Sequence, residues 1–135
     1  MGIIVLLVIG VILTVVLGWG GTSVQGPGAY DEFAICLKDR GAVFYGAFWC
    51  PHCQSQKKLF GFSQKLLPYV ECSTPDGRGQ LPICTDKNIA GYPLWEFADG
   101  SRMGGEIPLE QLAEKTSCPL RQSESEASVL PVLPE

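Results

Sequence analysis

Two cysteines separated by Pro51 and His52, in the stretch Phe48-Trp49-Cys50-Pro51-His52-Cys53, are the residues of this chain best suited to chemistry. A C-x-x-C pair can cycle between dithiol and disulfide, ligate a metal, or carry a haem. Haem attachment needs a histidine directly after the second cysteine, and Gln54 stands there. A zinc site needs a second pair of ligands. The remaining cysteines, Cys36, Cys72, Cys84 and Cys118, form no second C-x-x-C, and His52 is the only histidine. As a staple the pair closes too short a loop to restrain the chain. Redox exchange is the reading that remains.

That chemistry depends on what holds the first sulfur. Ala42 to Trp49 (AVFYGAFW) is a continuous apolar and aromatic run, as expected of a strand buried on both faces. A helix then opens at Cys50-Pro51, because proline at the first helical position forfeits no hydrogen bond. Free N–H groups and a partial positive charge at a helix N-terminus favour a thiolate over a thiol. His52, when protonated, adds to that field. A well-stabilised thiolate is a good leaving group, so the disulfide is readily reduced and oxidises other thiols. Cys53, one turn into the helix, is placed to resolve a mixed disulfide.

The elements that must position this pair are legible from pattern. Tyr30 to Arg40 has Phe33, Ala34 and Leu37 at helical spacing, acids first and bases last, and Gly41 stops it. The helix carrying the cysteines runs toward Leu67 with a bend at Gly61. Tyr69 to Cys72 is a short strand, and a Gly/Pro/Asp loop follows around Pro75 to Gly79. Asp86 to Ala90 forms at most one helical turn. Leu94 to Phe97 and Ser101 to Gly104 make a hairpin across Ala98-Asp99-Gly100. Pro108 to Lys115 is a last helix, with Leu109 and Leu112 on one face. The order is α-β-α-β-(α)-β-β-α, an α/β domain without internal repeat.

Charge divides the chain. Its 135 residues hold 14 acidic and 10 basic side chains, all of them from Asp31 onward. No basic cluster stands out, so a nucleic-acid surface is not expected. Gly2 to Trp19 has Thr14 as its only polar side chain and, as a helix, spans ~27 Å, enough for a hydrocarbon core. No Lys or Arg precedes the run, which favours a retained anchor over a cleaved signal peptide. Residues 2–19 are therefore expected to be a transmembrane anchor and 20–29 a flexible tether. Residues 30–120 are the folded domain and 121–135 a disordered acidic tail. Six cysteines beside an anchor point to a domain in an oxidising, extracytoplasmic compartment, periplasmic or lumenal.

Trp49-Cys50-Pro51-His52-Cys53 after a buried strand, with Gly91-Tyr92-Pro93 before a hairpin, resembles the thioredoxin-fold oxidoreductases, and the Pro-His dipeptide resembles their oxidising DsbA-type members. Further motifs narrow the likeness: Phe33-Ala34-x-Cys36-Leu37, Gly41-Ala42, Tyr45 through Phe48, Gln56-Lys57 and Leu67 through Cys72. Together they are similar to the thioredoxin-like domain attached to bacterial and plant homologues of vitamin K epoxide reductase, over Phe33 to Cys118. The resemblance implies a thioredoxin fold, a central mixed sheet flanked by helices, here preceded by one transmembrane helix. It implies that Pro93 is cis and faces Cys50 and Cys53, and that Tyr92 borders the peptide groove beside Pro93; Trp49 either shapes the substrate surface beside Cys50 or packs in the core. In those fusions the membrane enzyme passes electrons from the domain to a quinone, so a separate partner of that type is expected here. Two positions depart from the pattern. Phe44 stands where thioredoxins keep a buried carboxylate, which leaves the proton acceptor for Cys53 unassigned, and Leu94 follows Pro93 where the fusion domains usually have Thr.

The resembling domains carry a second cysteine pair where Cys72 and Cys84 stand. A disulfide there would be a structural staple of ~3 kcal/mol, or a relay handing electrons on. Cys36 and Cys118 stay open: first and last helices usually lie on opposite faces of such a sheet, against pairing, and both could be buried free thiols. Trp95 and Phe97 read as hairpin core. Lys57 and Lys58 read as a solvated helix face, with Lys57 able to assist a nearby thiolate. Tyr92 is balanced between packing and function. The expected activity is donation of the Cys50–Cys53 disulfide to protein thiols without a cofactor bound by the chain. An anchored reductase or isomerase, as in cytochrome c maturation, and a metal- or client-binding adaptor are the rivals.

Overall fold

The computed structural model describes residues 28–121, so the expected anchor (2–19), most of the tether and nearly all of the acidic tail lie outside the described residues. The chain order is α1 (Asp31–Asp39), β1 (Val43–Gly46), α2 (Pro51–Leu59), a 3-10 helix (Gly61–Leu66), β2 (Tyr69–Glu71), α3 (Pro82–Thr85), β3 (Leu94–Glu96), β4 (Arg102–Gly104) and α4 (Leu109–Thr116). The four strands form one mixed sheet in the order β2-β1-β3-β4. β1 pairs parallel with β2 and antiparallel with β3, and β3 and β4 form an antiparallel hairpin. A mixed sheet with helices packed on it is compatible with a thioredoxin-like fold. Among the described residues no helix is long and apolar enough to cross a membrane.

Alternation along β1 sorts the two faces. Phe44 and the open Cα face of Gly46 point into the main core, where Phe44 stacks on Trp95 with ring centroids 4.9 Å apart. Phe33, Leu37, Phe60, Leu109 and Leu112 complete that core, so α1, α2 and α4 all cover this face. Tyr45 points the other way, into a smaller core with Cys72, Cys84 and Ile89. Trp95 and Phe97 are buried.

Several boundaries differ from the pattern reading. The apolar run does not stay buried to its end: the strand stops at Gly46, and Phe48 and Trp49 are 48% and 53% exposed. A turn closed by Cys50 N–H on the Ala47 carbonyl lifts both rings out of the sheet before α2 begins. The α2 helix ends at Leu59, because Gly61 takes φ +53°, and the chain tightens into 3-10 geometry up to Leu66. The single turn expected at Asp86–Ala90 lies at Pro82–Thr85 instead, started by a proline in its first turn and followed by Asn88 at positive φ.

The largest correction concerns the outer helices. They share one face of the sheet and touch, and Cys36 of α1 is bonded to Cys118 just after α4, with Cα atoms 5.8 Å apart. Opposite faces, the arrangement expected to keep these cysteines apart, do not occur: Phe33, Ala34 and Leu37 pack in one core with Leu112. Cys72 and Cys84 form a second disulfide, Cα atoms 5.6 Å apart, tying the end of β2 to α3.

Candidate active site

With those two bonds made, Cys50 and Cys53 are the chain's two free thiols. Cys50 is the N-cap of α2 and Pro51 occupies the first turn, so the Cys50 side chain stands at the positive end of the helix, with no cap hydrogen bond to it. Tyr92-Pro93 is a cis peptide, and the Tyr92 carbonyl lies 3.8 Å from Cys50 Sγ, within reach of a thiol hydrogen. The loop before β3 thus meets the front of the pair. Cys53 is fully buried behind it. Burial, foremost, pushes the Cys53 thiol above its ordinary range; the Cys50 thiol adds to the rise, while a hydrogen bond with the Ala47 backbone and the Lys57 charge oppose it.

The sulfurs therefore differ in access, which suits sequential thiol exchange. A client thiol or disulfide can reach Cys50 at the edge, whereas Cys53 meets whatever is already attached to Cys50. Around Cys50 the surface is aromatic. Trp49 lies edge-on to Tyr92 with centroids 6.1 Å apart, and its indole N–H donates to Ser73 Oγ at 2.8 Å. Gly77, at φ +72°, lets the 73–80 loop run under the exposed rings of Phe48 and Trp49.

The structure brings Trp49, Cys50, Cys53, Tyr92 and Pro93 together. It turns His52 elsewhere. The imidazole is 70% exposed, and its Nδ1 pairs with Glu106 Oε1 at 2.7 Å, so its partner is a carboxylate at the rim rather than a sulfur. Lys57 also departs from expectation, whereas Lys58 is exposed. Lys57 Nζ sits 3.4 Å from the centroid of the Tyr69 ring, and burial lowers its pKa against the pull of Glu71 and Cys53. It faces the protein because helical spacing from Cys53 puts it on the same side of α2.

Four residues with a part in this geometry escaped the pattern reading. Gln56 is fully buried and clamps the backbone of Ile107, donating to its carbonyl at 3.0 Å and accepting its N–H at 2.6 Å. That clamp fixes the segment that carries Glu106. Tyr69 and Glu71, on β2, stand behind Cys53; the Tyr69 hydroxyl donates to Glu71 Oε2 at 2.7 Å. The apolar content of the sequence gave no sign of these polar contacts, since each joins residues from different elements.

Gly46 makes the close approach behind Cys53 possible. A Cβ there would lie 2.8 Å from the Tyr69 ring and 3.0 Å from Cys53 Sγ. Gly46→Ala is expected to destabilise the fold by about 1–3 kcal/mol through overpacking, read as a lower denaturant midpoint with an unchanged slope. Among the described residues no cluster of three or more His, Cys, Asp or Glu side chains is placed to hold a metal ion.

Over 92 residues the chain is 46% identical to Thiol-disulfide oxidoreductase LTO1 of Arabidopsis thaliana. This chain is similar to a thiol–disulfide oxidoreductase. The aligned part makes up 64% of the chain and 24% of the relative, so the chain spans about a quarter of the length of the protein it matches. No family model matches the chain. The two free, unequally buried thiols are groups fitted to thiol–disulfide exchange.

Proposed function

We propose that this chain donates the Cys50–Cys53 disulfide to protein thiols in an extracytoplasmic compartment, held to the membrane by residues 2–19. The observation that carries the reading is that four of six cysteines are paired while the C-P-H-C pair alone is free, with Cys50 capping a helix beside exposed aromatic surface. Two structural disulfides are what a domain gains where thiols are oxidised. The membrane placement rests on the charge-free apolar run of the sequence.

The chemistry runs in one sense. A client thiolate attacks Cys50 Sγ and breaks the Cys50–Cys53 bond, giving a mixed disulfide. A second client thiolate then attacks the client sulfur of that bond, and the chain is left as a dithiol. Two electrons have moved from client to chain. Their onward acceptor is a quinone-linked membrane enzyme of the vitamin K epoxide reductase type, as the sequence resemblance implies. Trp49, Tyr92 and Pro93 would hold the client backbone next to Cys50.

A glutathione redox titration of the full chain in detergent tests the direction. The expected potential of the Cys50–Cys53 couple is nearer ~−120 mV than ~−270 mV. A value at the reducing end would make the chain an electron donor and overturn the proposal, since a couple that is hard to reduce cannot oxidise clients.

A further inference from the structure

Cys53 must lose or gain a proton each time the pair opens or closes, yet it is fully buried. The groups facing it can be named element by element. From α2 come Cys50 and Lys57; from the end of β1, the Ala47 backbone; from β2, Tyr69, with Glu71 bonded to its hydroxyl. His52 is engaged with Glu106 at the rim. Because β1 and β2 run parallel with Gly46 opposite Glu71, and because Tyr69 and Glu71 are two residues apart, both β2 side chains fall on the Cys53 side. Cys53 Sγ and the Tyr69 hydroxyl oxygen lie 3.0 and 3.3 Å from the point where a Gly46 Cβ would sit, so both close on the same bare Cα face of Gly46.

Resting on the reading of Cys50 and Cys53 as an exchanging pair, we infer that Glu71, acting through the Tyr69 hydroxyl and beside the Lys57 ammonium, is the group that exchanges the Cys53 proton. Glu71 is built as an acceptor: Oε2 takes the Tyr69 O–H at 2.7 Å, and Oε1 takes the Ser73 and Phe48 N–H groups at 2.9 and 3.2 Å. Glu71 is half-buried, so it meets the Tyr69 hydroxyl on one side and solvent on the other. Burial, then the Glu71 bond, hold Tyr69 as a neutral phenol, which can accept one proton while passing on its own. Lys57, 3.4 Å from the Tyr69 ring centroid, favours the Cys53 thiolate as it forms.

The proton balance closes in both directions. When Cys53 attacks, its thiol proton goes to the Tyr69 oxygen and the Tyr69 proton to Glu71. The Cys53 thiolate then forms the bond to Cys50 and expels the other sulfur as a thiolate. When a client thiolate attacks Cys50, Cys53 departs as a thiolate and the same proton returns from Glu71. Tyr69 relays the proton and Glu71 holds it; neither forms a covalent bond to a sulfur.

Stopped-flow reaction of the reduced full chain with dithiobis-nitrobenzoate separates the two thiols. The first thionitrobenzoate leaves as Cys50 attacks the reagent, and the second leaves as Cys53 attacks the resulting mixed disulfide. Glu71→Gln and Tyr69→Phe are each expected to lower the ratio of the second rate to the first by about 10²-fold near neutral pH. The deficit should close in alkaline buffer, where hydroxide takes the proton instead. A ratio unchanged in both variants, or a deficit that ignores pH, would overturn the inference while leaving the proposed exchange intact. A wild-type chain that releases no second thionitrobenzoate would sink both.

Discussion

Cys50→Ser is expected to reduce disulfide transfer to the rate seen without protein, whereas Cys53→Ser should keep attacking clients and accumulate as mixed disulfides. Cys50 is 5% exposed at the helix cap, next to the Tyr92 carbonyl, while Cys53 is sealed. Removing the accessible sulfur removes the atom that forms the intermediate. Removing the sealed one deletes only the group that resolves it, so the intermediate persists. Non-reducing gels after incubation of the reduced variants with a disulfide-bonded client read this directly, because Cys50 attacks the client disulfide and expels one client thiolate: a ladder for Cys53→Ser, none for Cys50→Ser. Ladders of equal strength would mean that either sulfur can be reached, and the division of labour inferred from burial would be wrong.

The second large effect concerns stability. Cys36 and Cys118 are 82 residues apart in sequence and Cys72 and Cys84 only 12. Loop-closure entropy then assigns ~4.5 kcal/mol to the first bond and ~3 kcal/mol to the second. Against a typical domain stability of about 5–15 kcal/mol, either loss is serious and the first approaches the whole. Replacing Cys36 and Cys118 together by serine should therefore lower the guanidinium midpoint more than replacing Cys72 and Cys84. Fluorescence of Trp95, buried on Phe44, follows the transition. The opposite ranking would mean that the Cys72–Cys84 bond supports native packing around Tyr45 and Ile89 beyond its restraint of the unfolded chain.

The two effects bear on one another. A domain that keeps two disulfides while cycling a third must hold their sulfurs apart. The Cys36–Cys118 bond joins the outer helices, the Cys72–Cys84 bond lies in the smaller core, and the exchanging pair sits at the cap of α2. Beside Cys50 stand the Tyr92 carbonyl and, edge-on to the Tyr92 ring, Trp49.

What the sequence determined by itself was local. Pro51 after Cys50 and Gly41 after the first helical run act on their own neighbours, through fixed φ or freedom at positive φ, so the cysteine pair could be placed at a helix start. The same logic located the four strands to within a few residues. Where a local signal was passed over, as with Pro82, the short helix was misplaced.

Only the tertiary structure decided which distant residues meet. The Cys36–Cys118 bond depends on α1 and α4 sharing a sheet face, and helical periodicity says which side of a helix is buried but not against which layer. Gln56 on Ile107, His52 on Glu106 and Tyr69 with Glu71 behind Cys53 are likewise set by crossings of separate elements. Lys57 looks like any solvated lysine in the sequence. It becomes part of the site because β2, laid parallel to β1, brings the Tyr69 ring beneath its ammonium.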